Sequence, residues 1–596
     1  MSSVRRSAIP LLALATVALV GCPDRTERPR NVLLVSIDTL RADRIGCYGH
    51  ENAGTPTLDA LAARGVRFAD AMAPSPTTAA THASLLSGLD PLRHRVRHNA
   101  LFALPADVTT VTERLAEQGF RTGGFVGSIV LAKRYGLARG FESYTWPEPR
   151  SGPELFYLGE RPATDVNRDA LAWLDTVGDA PFFLFVHYME PHAPYRPPEP
   201  ERARFPQDRY QGEIAAADRA LGELLSAVEQ RGRLRDTLVI VVADHGESLG
   251  EHGELTHGIF LYQSTLHVPL IAAGPGVPPA TVVETPVSLV DVTPSVLEAT
   301  GLDSDATLDG RSLWPAMTGG TQTDRGLYAE TFIPRYDHGW SELRALRRGS
   351  MKYVQAPRAE LYALDRDPDE TESRIESQPE NAREMAADLA ALVERLEVAG
   401  RDPQRLQIPQ QEREALEALG YLAGGHGDET TGALPDPKDV IGSNSPLSDA
   451  EELARLGRED EAVLLLRRLI ADTPANHSAR IRLLVTLILA GKNDEAIAEG
   501  NALVEAARNA PDGEKLAARA HLFLAQIYLD RQRLDDAVRE YELALAAPQP
   551  VQVYDMLAAL YHDLGRDEEA IRVLRDVVDK GLATERSREM LRALEQ

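Results

Sequence analysis

Three uninterrupted apolar runs, each stopping at an ionisable side chain, constrain this chain more than any other feature. Asn31-Val32-Leu33-Leu34-Val35-Ser36-Ile37 ends at Asp38, and Thr237-Leu238-Val239-Ile240-Val241-Val242-Ala243 ends at Asp244-His245. Between them, Pro181-Phe182-Phe183-Leu184-Phe185-Val186 runs into His187, Glu190 and His192. A strand with one wet face alternates apolar and polar residues. An unbroken run suits a strand covered on both faces, as in a parallel sheet under helices. Helical stretches are predicted at 57–64, 108–118, 163–177 and 212–230, so the order of elements is that of a layered α/β domain. Ligands of such sheets bind beyond the carboxyl ends of the strands. The acids and histidines that end the three runs are therefore predicted to converge. Asp38, Asp244 and His245 offer two carboxylates and an imidazole, a donor set suited to one divalent cation. Each also has an ordinary use, since Asp after a strand caps helices and Asp-His-Gly suits a turn.

Beyond residue 325 the pattern changes. Short strands at 345–348, 351–354 and 360–364 precede a helix at 379–396, which reads as a smaller subdomain. Residues 404–446 are rich in Gly, Pro and polar side chains, with one short helix at 411–419, and read as a linker. Four similar stretches follow, Leu456 to Val463, Ala490 to Ile497, Arg531 to Val538 and Leu564 to Ile571. Their alanines, Ala462, Ala496, Ala537 and Ala570, are 34, 41 and 33 residues apart. This period of paired helices resembles the tetratricopeptide repeat, whose superhelix carries a concave face for a protein partner.

The chain has 90 acidic and 64 basic residues, a net charge of -26, which opposes binding to nucleic acid. Its two cysteines, Cys22 and Cys47, exclude a disulfide framework. Arg5 and Arg6 precede an apolar run from Ile9 to Val20, short for a membrane span. The run ends Leu19-Val20-Gly21-Cys22, which resembles a bacterial lipoprotein box. That resemblance implies lipidation at Cys22, export, and anchoring to a membrane of the cell envelope. The expected organisation is a leader at 1–22, a tether at 23–30, a catalytic domain at 31–400 with its subdomain at 325–400, a linker at 401–446 and repeats at 447–596.

Four motifs carry a further resemblance: NVLLVSIDTLRADRIGCYGH from Asn31, PFFLFVHYMEPHAPY from Pro181, ADHGESLGEHGELTHG with HVPLIAAGPG from Ala243 to Gly276, and ELYALDRDPDETE from Glu360. Together they resemble the sulfatase family of the alkaline-phosphatase-like superfamily. The resemblance implies an α/β sandwich, hydrolysis of sulfuric or phosphoric esters, and one divalent metal ion, Mn, Zn, Ca or Mg. The family's nucleophile is a Cys or Ser, converted to formylglycine, ahead of x-Pro-x-Arg and a helix. Counting back from Gly88 places Thr78 there, with Ala80 at the proline and His82 at the arginine. Formylglycine cannot form from threonine. Superfamily members with an unmodified threonine act on phosphate groups.

The family's anion-holding lysines are also missing. His257 stands in one such place, and no lysine occurs between Lys133 and Lys352. The resemblance thus implies metal binding by Asp38, Thr78, Asp244 and His245, substrate binding by His82 and Arg41, and catalysis by Thr78, His192 and His257. His187, His252 and His267 read as structural. Two other activities fit the same residues: transfer of a phospho-group to an acceptor, and an inactive scaffold whose repeats bind protein.

Overall fold

The computed structural model describes residues 28–147, 160–303, 307–397, 404–407, 433–441, 446–508, 510, 513–549 and 551–595. The leader with Cys22, most of the tether and the helix expected at 411–419 lie outside these residues. Among the described residues no helix is long and apolar enough to cross a membrane.

A nine-stranded sheet organises the larger, N-terminal α/β part of the described residues. At its centre Asn31–Ile37 lies between Phe182–Tyr188 and Thr237–Ala243, parallel to both, and every residue of the three strands is buried. Beyond Phe182–Tyr188 come Arg121–Val126 and Ser143–Thr145, also parallel. On the other side the sheet departs from the parallel expectation. His267–Ala273 runs antiparallel to both Thr237–Ala243 and Val66–Met72. An apolar run reports burial on two faces and is silent about direction. Helices pack in two sets, Pro56–Ala63, Ala163–Leu174 and Arg209–Gln230 in one, Thr78–Ser87, Val111–Glu117 and Val292–Ala299 in the other. Their apolar faces and the sheet share one core.

The subdomain is a four-stranded antiparallel sheet, Leu327–Thr331, Leu343–Arg348, Met351–Gln355 and Glu360–Ala363. Helix Pro379–Leu396 packs on it through Ala382, Met385 and Leu389. The buried Lys352 ammonium joins it to the main domain, donating to the Leu261 carbonyl at 2.7 Å and pairing with Glu370. Parts of the expected linker are ordered: Gln404–Arg405 pairs with Phe102–Ala103, and Pro437–Val440 is a short helix.

Among the described residues, helices from Pro446 to Leu594 form four antiparallel pairs and a closing helix. Ala462, Ala496, Ala537 and Ala570 are fully buried where the second helix of each pair meets its neighbours. The turn inside a pair needs a left-handed residue: Gly457, Gly491 and Gly565 supply it in three pairs and Gln532 in the other.

Candidate active site

The parallel register sets the site. Ile37 pairs with Ala243, so Asp38 and Asp244 leave adjacent strands at the same level. On the other flank Ser36 pairs with His187, and the Asp38 amide donates to the Tyr188 carbonyl at 3.0 Å. Thr39 then takes a left-handed backbone, φ 55°, and its amide donates to Asp244 Oδ1 at 3.2 Å. The His245 amide donates to the same oxygen at 2.9 Å. His245 Nδ1–H donates to the Gly246 carbonyl, which turns Nε2 inward.

Thr78 opens helix Thr78–Ser87, all of whose residues are buried, and its Oγ1 lies 3.3 Å from His245 Nε2. His245 Nε2 is 3.5 Å from Asp244 Oδ2 and 3.8 Å from Asp38 Oδ1. Both Asp38 oxygens and Asp244 Oδ2 are buried with no hydrogen bond. Burial, with the charges of Asp244 and Glu247, holds the Asp38 carboxyl well above the usual carboxylate range. Burial would also raise Asp244, but the surrounding His245, His82 and His187 hold it below that range. Two buried carboxylates this close cannot both ionise comfortably without a compensating positive charge. Donor atoms 3.3–3.8 Å apart are also spaced like ligands of one ion, since bonds of ~2.1 Å to a four-coordinate metal put its ligands about 3.4 Å apart. Asp38, Asp244 and His245 therefore fit a divalent cation, with Thr78 beside them.

His192 and His257 stand next to this cluster. Their rings are 5.2 Å apart, and the His257 ring is 4.4 Å from that of His245. His257 Nδ1–H donates to Glu247 at 2.9 Å, and the Tyr195 hydroxyl donates to the other Glu247 oxygen at 2.9 Å. His192 Nδ1–H donates to the Ala193 carbonyl, and burial, then His257, push its pKa down to about 3. Glu247 is wholly buried and escaped the sequence reading, although it follows Asp244-His245-Gly246 directly.

Two expected substrate ligands are engaged elsewhere. His82 is fully buried beneath Thr78: Nδ1–H donates to the Thr78 carbonyl at 2.7 Å and Nε2 accepts from Ser36 Oγ at 2.9 Å. Burial pushes its pKa down to about 4. Arg41 is paired with Asp43 and Glu251 and donates to the Glu247 carbonyl at 3.0 Å. It thus ties together a loop whose ends carry Glu247 and His257. His252 stacks on Tyr262 and His267 bonds the Ala69 carbonyl, both structural roles. His187, also read as structural, instead reaches Asp38, with Nε2 3.3 Å from Oδ2. A cavity of about 700 Å³ lined by Gly54, Glu201, Arg204, Asp218 and Arg219 contains none of these residues.

Residues 30–302 match the sulfatase family model, and 250–399 match the model described as N-sulphoglucosamine sulphohydrolase, C-terminal. Residues 551–579 match a tetratricopeptide repeat. The chain is 24% identical to Delta 4,5-hexuronate-2-O-sulfatase of Bacteroides thetaiotaomicron, over 68% of this chain and 96% of the relative. It is 29% identical to human arylsulfatase A, over 57% and 76%, and 26% identical to choline-sulfatase of Rhizobium meliloti, over 58% and 81%. Among solved structures, the phosphonate monoester hydrolase of Agrobacterium radiobacter shares the fold with a TM-score of 0.53 at 23% identity, over 62% of this chain and 96% of that one.

Proposed function

Residues 30–302 belong to the sulfatase family, and from that premise we propose that this ester hydrolase uses Thr78 as its nucleophile beside one divalent cation held by Asp38, Thr78, Asp244 and His245. The observation that carries the reading is the group of buried, unbonded oxygens of Asp38 and Asp244 facing His245 and the Thr78 hydroxyl. A bound cation would supply positive charge there and make a nearby hydroxyl more acidic. Thr78 also begins a helix, where the backbone favours an anion.

Thr78 loses its hydroxyl proton to solvent before the reaction, and attack by the resulting Oγ1 alkoxide on the central phosphorus or sulfur forms a threonine ester and breaks the bond to the leaving alkoxide. His257 donates the proton to that alkoxide, with Glu247 holding its Nδ1–H so that Nε2 exchanges. His192, neutral beside it and with Nδ1–H on the Ala193 carbonyl, presents its Nε2 lone pair as an acceptor for the attacking water. Water then attacks the same centre, gives its proton to His257, and restores Thr78. Threonine has one hydroxyl, so release requires this second displacement. Phosphorus accepts it more readily than the sulfur of a sulfate ester, and the reading favours phosphate and phosphonate esters over sulfate esters. A silent scaffold would have no use for buried carboxylates kept unbonded, which weighs against that alternative.

From the Leu19-Val20-Gly21-Cys22 box we also propose export and a lipid anchor on Cys22, and from the repeats a protein partner. The test is turnover of p-nitrophenyl phosphate, p-nitrophenyl phenylphosphonate and p-nitrophenyl sulfate by protein loaded with Mn²⁺ or Zn²⁺, with mass spectrometry of the quenched enzyme. A covalent adduct on the Thr78 peptide is expected. Full metal occupancy with no turnover of any ester would overturn it.

A further inference from the structure

We propose that His187 is an additional ligand of the cation. The inference rests on the metal reading above and adds a donor to it. His187 is completely buried at the end of the central strand Phe182–Tyr188, level with Ser36. Its Nε2 has no hydrogen bond and points at Asp38 Oδ2 from 3.3 Å, the same spacing that separates Thr78 Oγ1 from His245 Nε2. Its Nδ1 faces its own strand, where the Gly127 amide donates to it at 3.4 Å. Coordination at Nε2 requires the ring proton on Nδ1, turned to the neighbouring His187 carbonyl with the long Gly127 contact given up, the usual arrangement of a metal-ligating histidine.

Among the described residues two triads of metal-ligating atoms occur, Asp38–Asp244–His245 and His82–His187–Asp244, and they share Asp244. His82 drops out, because both of its nitrogens are hydrogen-bonded. What remains is one cluster of Asp38, Asp244, His245 and His187, with the Thr78 hydroxyl beside His245. After Asp38 the chain places Thr39, whose buried hydroxyl is also unbonded and carries no charge. A second imidazole among the ligands moves the site away from calcium and magnesium, towards manganese and zinc.

Pulsed electron paramagnetic resonance of the Mn²⁺-loaded full chain tests the assignment by counting directly coordinated nitrogens. Two are expected in the wild type and one in each of His187→Ala and His245→Ala. Mn²⁺ affinity should fall about 10–100-fold in His187→Ala. His187→Gln, which keeps the volume, serves if the alanine variant unfolds, and thermal midpoints in EDTA separate a folding defect from a binding defect. One coordinated nitrogen in the wild type, lost only in His245→Ala, would overturn the assignment and make His187 a donor to Asp38, while the metal reading stands. A wild type that takes up no Mn²⁺ or Zn²⁺ by elemental analysis would overturn both.

Discussion

His257 and Glu247 face each other across the base of one loop, the imidazole donating Nδ1–H to a carboxylate that is fully buried. Between them Ser248 bonds Thr256 and Gly250 bonds Glu254 through the backbone, so the loop closes as a narrow hairpin. The pair acts as a unit. His257→Ala should lower turnover of esters with basic alcohol leaving groups by ~10²–10⁴-fold and of p-nitrophenyl esters far less. Glu247→Gln should give a weaker loss of the same form. Rates plotted against leaving-group pKa check this; an equal loss for every leaving group would remove the proton-donor role.

Thr78→Ala should abolish turnover, with a loss approaching about 10⁶-fold, while Thr78→Ser keeps part of the rate. Thr77→Ala should remain active, since the Thr77 hydroxyl is bonded to Ser75 at 3.0 Å, away from His245. Steady-state kinetics of the three metal-loaded variants decides it.

Glu213 is buried, and its pKa is pushed up to about 8 by burial and then by Glu190. Its folded pKa therefore lies above the ordinary value of 4.5. The folded state binds the extra proton between those limits, so this contribution is full at low pH and is lost as pH rises through 8. Glu213→Gln keeps an acceptor for the Arg196 amide and removes the charge. It should raise the thermal midpoint at pH 8.5, by the equivalent of a few kcal/mol at about 1.4 per pKa unit, and leave it nearly unchanged at pH 5. Calorimetry at the two pH values provides the comparison.

Ala537 is fully buried in the third helix pair, so Ala537→Leu overfills it at a cost of ~1–3 kcal/mol. The repeats should melt earlier, in a separate transition, with hydrolysis of a small p-nitrophenyl ester unaltered. Parallel loss of that activity would mean that the repeats and the catalytic domain unfold together.

Cys22→Ala should release the protein from detergent-free membrane fractions. Unchanged membrane association would remove the lipid anchor.

The positions of Asp38, Asp244 and His245 were legible because a buried strand hands its next residue to the carboxyl edge of the sheet, and apolar runs mark such strands well. The repeats were legible through the spacing of four small residues. His187 was harder to read: it continues an apolar run, and inside a buried strand a histidine usually has a packing role. Its meaning comes from the register that sets it beside Asp38. Arg41 misled in the opposite sense. The absence of the family's lysines suggested it as an anion ligand, yet Asp43, two residues on, and Glu251, from the far loop, neutralise it. Glu247 carried no periodic signal, and a lone Glu after a turn reads as surface charge until burial is known.

The residues that converge on Thr78 carry imidazoles and carboxylates, and the neighbouring guanidinium of Arg41 is already paired. An oxyanion product held there meets imidazoles and the proposed cation, with no free guanidinium from Arg41 to grip it. Retention of inorganic phosphate or sulfate should therefore follow occupancy of the cation site, so that protein stripped of its metal no longer binds the anion it releases.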